Sequence, residues 1–147
     1  MPDQHPITIL LVEDDPGHTR LIEKNLRRAS ITNEILAIAD GQQALDYLFS
    51  QGQYARSERR SPLLVLLDLN LPGLDGYQVL EQMKRDDRTR RIPVVILTTT
   101  DNAHEVDRCY DLGCNVYMTK PVDYDKFSEV IRKIGMFLSV VTVPDGG

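Results

Sequence analysis

Apolar residues along this chain fall into short unbroken runs, separated by longer stretches in which they recur at helical spacing. Ile7-Thr8-Ile9-Leu10-Leu11-Val12, Leu63-Leu64-Val65-Leu66-Leu67, Pro93-Val94-Val95-Ile96-Leu97 and Val116-Tyr117-Met118-Thr119 are four such runs, and Glu34 to Ala39 reads as a further strand. Continuous apolar runs bounded by turn residues are the pattern of strands buried on both faces. Between them, Leu21, Ile22, Leu26 and Ala29 line one helical face, behind Asp15 as N-cap and Pro16 at the first helical position. Asp40 with Gln43, Asp75 with Gln78 and Asn102 with Glu105 have capping-box spacing, and open helices running through Phe49, through Lys84 and to Leu112. After Asp123, a last apolar stripe takes in Phe127, Val130, Ile131, Ile134, Phe137 and Leu138. Five strands alternating strictly with five helices predict one α/β domain on a parallel sheet. Two segments stand outside this pattern: the polar loop from Ser50 to Pro62, and the Val-rich stretch from Leu138 to Pro144, which leans toward strand.

The polar residues that close the runs are the candidate chemistry. Glu13-Asp14-Asp15 follows the first run, Asp68 the Leu63–Leu67 run, Thr98-Thr99-Thr100 the next, and Lys120-Pro121 the last. In open parallel sheets, ligands collect just beyond the carboxyl ends of the strands. Helix capping accounts for Asp15, Asp75 and Asp123, but not for acids and a lysine meeting in one cleft. Three neighbouring carboxylates repel one another and call for a cation. Lys120 supplies one charge; an all-oxygen cluster also suits Mg²⁺, with Mn²⁺ as a substitute, and leaves coordination positions open for phosphate oxygens. Phosphoryl chemistry follows, with Asp68 as nucleophile and Thr98, Lys120 and backbone amides positioning the phosphoryl group. The chain has no glycine-rich phosphate loop ending in Lys-Ser/Thr. Glu13 and Asp14 would repel a flavin phosphate, and no Ser/His/Asp or Cys/His set is apparent. His5, His18 and His104 have surface or capping roles as their default.

Composition narrows the partners. The 147 residues are 41% hydrophobic and 27% charged, as in a globular domain, and the net charge of -5 argues against a general nucleic-acid surface. The basic clusters Arg56, Arg59, Arg60 and Lys84, Arg85, Arg88, Arg90, Arg91 read as solvated loop faces. No apolar run approaches the length of a membrane helix. Met1-Pro2-Asp3-Gln4-His5 lacks the pattern of a secretory leader, so the expected address is cytoplasmic. Cys109 and Cys114 have no metal-binding or redox spacing and read as buried free thiols.

The set Glu13-Asp14, Asp68, Thr98 and Lys120-Pro121, with Leu71-Pro72-Gly73-Leu74-Asp75-Gly76 after the central acid, resembles a two-component response-regulator receiver domain from roughly Ile7 to Phe137. The resemblance implies a doubly wound, flavodoxin-like five-stranded parallel sheet with five helices. It implies a single receiver over residues 1–147, with a core at about 7–138 and an apolar extension at 139–147. Asp68 would take a phosphoryl group from a phosphohistidine of a sensor kinase. Asp14, Asp68 and the Asn70 carbonyl would hold Mg²⁺, with Glu13 acting mostly through water. Thr98 and Lys120 would contact the phosphoryl oxygens, Tyr117 would be the switch aromatic, and the Lys120-Pro121 bond would be cis. The Tyr54-containing loop, Leu67-Asp68-Leu69-Asn70-Leu71-Pro72 and Ile92-Pro93-Val94-Val95-Ile96-Leu97-Thr98-Thr99 look like stand-alone receivers partnered with cyanobacterial phytochrome kinases. Thr99 stands where many receivers have Ala or Ser, and Asn70 at a position that affects how long the phosphate persists.

The competing class is the haloacid-dehalogenase phosphatases, which also use a strand-end Asp. They need a second Asp two residues on, where this chain has Asn70, which moves no protons. The chain is therefore expected to be a phosphoacceptor rather than an enzyme. With no effector segment after the receiver, output is expected through an unknown downstream protein or self-association. Phe137, Leu138, Val140, Val141 and Val143 suggest a homodimer built on the fourth and fifth helices, the last strand and the extension. Folding of that segment back over its own sheet is the alternative.

Overall fold

The computed structural model describes residues 7–28, 30–55, 63–100, 102–120, 125–127 and 129. Strands β1 (Thr8–Val12), β2 (Ile35–Ile38), β3 (Leu63–Leu67), β4 (Val94–Thr98) and β5 (Val116–Thr119) alternate with helices α1 (Pro16–Arg28), α2 (Gly41–Leu48), α3 (Gly76–Arg85) and α4 (Ala103–Leu112). Residues 125–127 and 129 are helical, where the fifth helix is expected. All strand pairs are parallel, in the order β2-β1-β3-β4-β5. This is the doubly wound, flavodoxin-like arrangement expected above. The connections run outward in opposite directions from the β1/β3 pair, so a crevice opens beyond the ends of those two strands.

Why the runs are unbroken is visible in the burial. Every residue of β1, β3 and β4 is buried, because helices cover both faces of the sheet. Alternate residues feed two cores. Leu10, Val12, Val65, Leu67, Val94 and Ile96 pack with Leu45 and Leu48 of α2, Val79, Leu80 and Met83 of α3, and Cys109 of α4. Ile9, Leu11, Leu64, Leu66, Val95 and Leu97 pack with Ile22 and Leu26 of α1 and with Phe127. Shifting any central strand by one residue would exchange these two sets.

The capping signals are realised unequally. Asp75 and Gln78 form the full reciprocal capping box, whereas Asp40 accepts from the Gln42 and Gln43 amides, and Asn102 from the His104 amide. Two glycines fix the turn after β3. A Cβ on Gly76 would lie 2.4 Å from the Asp68 carbonyl oxygen, and one on Gly41 would lie 2.2 Å from that of Leu74. The 69–75 turn is thus pressed between the starts of α2 and α3, which anchors the backbone beside Asp68.

Some expectations shift. Thr98 is the last residue of β4 rather than the first after it, and Pro93 lies outside the strand. Within the Ser50–Pro62 loop, Gly52–Tyr54 form a 3₁₀ turn, and Tyr54 packs edge-on against Tyr47 with ring centroids 5.2 Å apart. The second basic cluster is not simply solvated. The Lys84 ammonium donates to the Arg90 and Ile92 carbonyls, each at 3.0 Å, and Arg88 forks onto Asp86 while its guanidinium lies over the Phe49 ring. Arg56, Arg59, Arg60, Pro121, Asp123 and the 130–147 segment lie outside the described residues.

Candidate phosphoacceptor site

Glu13, Asp68 and Lys120 are each the first residue past a strand, yet their amides continue the sheet's ladder. Glu13 N–H donates to the Ile38 carbonyl at 3.0 Å, Asp68 N–H to Val12 at 3.0 Å and Lys120 N–H to Thr98 at 2.7 Å. Backbone pairing therefore fixes where the side chains emerge, on one edge of the sheet. Among the described residues, one carboxylate oxygen from each of Glu13, Asp14 and Asp68 lies within 4.8 Å of the others. Glu13 and Asp68 are buried, at 4% and 7% exposure, while Asp14 faces solvent. The cluster thus has a closed floor and an open mouth.

Both Asp68 oxygens are engaged. Oδ1 accepts from the Asn70 amide at 2.9 Å and Oδ2 from the Lys120 ammonium at 3.1 Å. The ammonium also donates to Glu13 Oε1. Burial alone would depress the Lys120 pKa; the hydrogen bond to Glu13 and the nearby Asp68 charge outweigh it, leaving it raised. Glu13 is itself raised above the ordinary carboxylate value by burial and by Asp68, against the lowering effect of its bonds to Lys120 and the Asp15 amide. The buried Thr98 hydroxyl accepts from the Asn70 side-chain amide at 3.2 Å. Tyr117, on the edge strand, donates its hydroxyl to the Thr100 carbonyl, while its amide donates to the Tyr110 hydroxyl at 3.1 Å.

The structure brings together the expected Glu13, Asp14, Asp68, Asn70, Thr98 and Lys120, with Tyr117 on the strand that carries Lys120. It adds His18, assigned above only a surface or capping role. His18 Nδ1 lies 3.2 Å from the Lys120 ammonium and 3.7 Å from Glu13 Oε1. Its position in the first turn of α1, which starts at the mouth of the site, was the available signal. Three oxygen donors from two buried and one exposed carboxylate fit a hard divalent ion such as Mg²⁺ or Mn²⁺.

A family model for the response regulator receiver domain matches residues 9–132. The chain belongs to the response regulator receiver family. It is 41% identical to the response regulator Rcp1 of Synechocystis sp. over 95% of this chain and 94% of that protein. A solved Mn²⁺-bound form of Rcp1 superposes with a TM-score of 0.77 at 39% identity, covering 95% of this chain and 100% of that one. The phosphorylated cyanobacterial phytochrome response regulator RcpA gives 0.76 at 39% identity, over 96% and 99% of the two chains. A response regulator receiver domain from Rhodospirillum rubrum gives 0.75 at 55% identity, over 93% and 96%. As a receiver, the chain is a response regulator and not a classical enzyme, which sets aside the haloacid-dehalogenase phosphatases. Among the described residues, no helix is long and apolar enough to cross a membrane.

Proposed function

We propose that Asp68 accepts a phosphoryl group from the phosphohistidine of a sensor kinase of phytochrome type. The observation that carries this reading is the convergence, at the crevice beyond β1 and β3, of the Asp68 carboxylate with two further carboxylates and one ammonium. Likeness to Rcp1 and to the phytochrome response regulator RcpA over nearly the whole chain supports the kinase class. In the step, an Asp68 oxygen attacks phosphorus. The O–P bond forms as the P–N bond breaks, and the departing imidazole takes up a proton.

The surrounding residues divide the work. The Asn70 amide orients the attacking carboxylate, and the Thr98 hydroxyl and Lys120 ammonium receive the phosphoryl oxygens. A divalent ion held by Asp14 and Asp68, with the Asn70 carbonyl as a further oxygen and Glu13 acting through water, would supply positive charge against the phosphoryl group. Movement of Thr98 toward the phosphoryl group frees space for Tyr117, which leaves the Thr100 carbonyl and turns inward.

In this reading the 147 residues act as one receiver in the cytoplasm. Its output goes to a downstream protein or through a homodimer that uses α4, β5, the fifth helix and the 139–147 extension. Phosphotransfer from candidate phytochrome kinases to wild type and Asp68→Asn tests the core of it. Wild type should take up a hydroxylamine-labile label and the variant none; undiminished label on the variant would refute the assignment. Light scattering on the chain cut after Gly135 tests the dimer, which should then become a monomer; a dimer unchanged by the cut would exclude the extension as its interface.

A further inference from the structure

The Lys120 ammonium has three N–H donors, and three acceptors surround it: Glu13 Oε1, Asp68 Oδ2 at 3.1 Å and His18 Nδ1 at 3.2 Å. An ammonium only donates, so a hydrogen bond at this contact requires Nδ1 as the acceptor, with the imidazole proton on Nε2. His18 is held in place by its own backbone, whose amide donates to Asp15 Oδ1 at 3.2 Å in the capping turn of α1. Its side chain is 45% exposed, against 2% for Glu13.

To meet a phosphoryl group on Asp68, Lys120 must give up part of this resting set. Asp68 Oδ2 belongs to the carboxylate being modified. The bond to Glu13 is costly to lose, because that buried carboxylate would be left without its cation. His18 is open to solvent, and water can take the ammonium's place. It is therefore the acceptor that Lys120 can leave at least cost.

We propose that His18 is a positioning residue that holds Lys120 in its resting place, and so limits the rate at which Asp68 is phosphorylated. This rests on the phosphoacceptor reading above. Removing the imidazole acceptor stabilises no new contact; it removes one that the resting state has and the phosphorylated state lacks. Labelling should therefore accelerate by about threefold to tenfold, the worth of one hydrogen bond of ordinary net strength.

The experiment measures the rate of Asp68 labelling by acetyl phosphate with Mg²⁺, in wild type, His18→Ala and His18→Asn, and again with each combined with Lys120→Ala. His18→Ala should label faster by the stated factor. His18→Asn, which keeps an acceptor oxygen on a short side chain, should return toward the wild-type rate. In the Lys120→Ala background, His18→Ala should have no further effect. Imidazole ¹⁵N shifts of wild type should report the Nε2–H tautomer. Equal rates in wild type and His18→Ala, the same acceleration without Lys120, or an Nδ1–H tautomer in wild type would each overturn the proposal while leaving Asp68 as phosphoacceptor. Absence of label from wild-type Asp68 would remove both.

Discussion

Lys120 and Lys84 are both half-buried lysines, at opposite edges of the same sheet. Lys120 lies beyond the carboxyl ends of the strands and donates to two carboxylates, Glu13 and Asp68. Lys84, in the last turn of α3, donates to two backbone carbonyls just ahead of β4. Burial pushes down both pKa values, but the Lys120 carboxylates reverse the effect whereas the Lys84 carbonyls do not. One ammonium is thus matched to charge, which a phosphoryl group or a metal ion can redistribute. The other is matched to two backbone carbonyl dipoles, which carry no net charge. Partner type distinguishes the two ammoniums more clearly than burial does.

The largest effects are expected from removing each ammonium. Lys120→Ala leaves Glu13 and Asp68 unpaired. In chelator it should destabilise the fold by about 2–4 kcal/mol, below the fully buried case because the mouth of the site admits water. Millimolar Mg²⁺ should restore part of that loss, since the cluster then regains a cation. Paired urea titrations check both statements. Lys84→Ala removes the ammonium from the exposed Arg90 carbonyl and the part-buried Ile92 carbonyl, and should cost about 1 kcal/mol. Mg²⁺ should recover none of it, and the labelling rate of Asp68 should be unchanged in the folded variant.

The contrast between carboxylate and carbonyl partners is also where reading the sequence alone succeeded and failed. The convergence of Asp14, Asp68, Thr98 and Lys120 was legible because each lies at the end of an apolar run read as a parallel strand, and parallel strands bring their ends together; β5, before Lys120, is only half-buried. His18 and Lys84 were not. Both sit on helices, and what decides their role is the angle at which α1 and α3 meet the sheet edges, which periodicity does not encode. The 3₁₀ turn at Gly52–Tyr54 escaped for a similar reason: it depends on Tyr54 finding Tyr47 in space. The N-caps Asp40, Asp75 and Asn102 were readable because a cap is local in sequence, whereas the returning bond that completes the box formed only at Gln78.

Alkaline titration should move the contributions of the two lysines in opposite directions. The raised folded-state pKa of Lys120 gives a stabilisation that is complete below 10.5 and is lost as pH rises through the higher folded value. The lowered value of Lys84 acts oppositely: the folded state releases its proton first, so stability rises as pH climbs toward 10.5. Wild type minus Lys120→Met should therefore shrink above pH 10.5, while wild type minus Lys84→Met should grow on the approach to it. Urea unfolding free energies across pH 9 to about 11.5 give both curves.

A smaller effect concerns the thiols at the Lys84 end. Cys114 has that ammonium nearby, yet burial dominates and pushes its thiol up to about 12; Cys109 is pushed up to about 11. Neither should react with iodoacetamide at pH 8 in the native protein, and both should react on unfolding. Mass spectrometry of the alkylated chain reads this directly.

Asp68 is the residue proposed to carry the phosphoryl group. The most direct measurement is peptide mapping after incubation with acetyl phosphate and Mg²⁺, with borohydride reduction converting an aspartyl phosphate to homoserine. The expected result is homoserine at position 68 alone, and none when Mg²⁺ is chelated. Homoserine at Glu13's neighbour Asp14 in place of Asp68, or an unmodified Asp68 with Mg²⁺ present, would contradict the account.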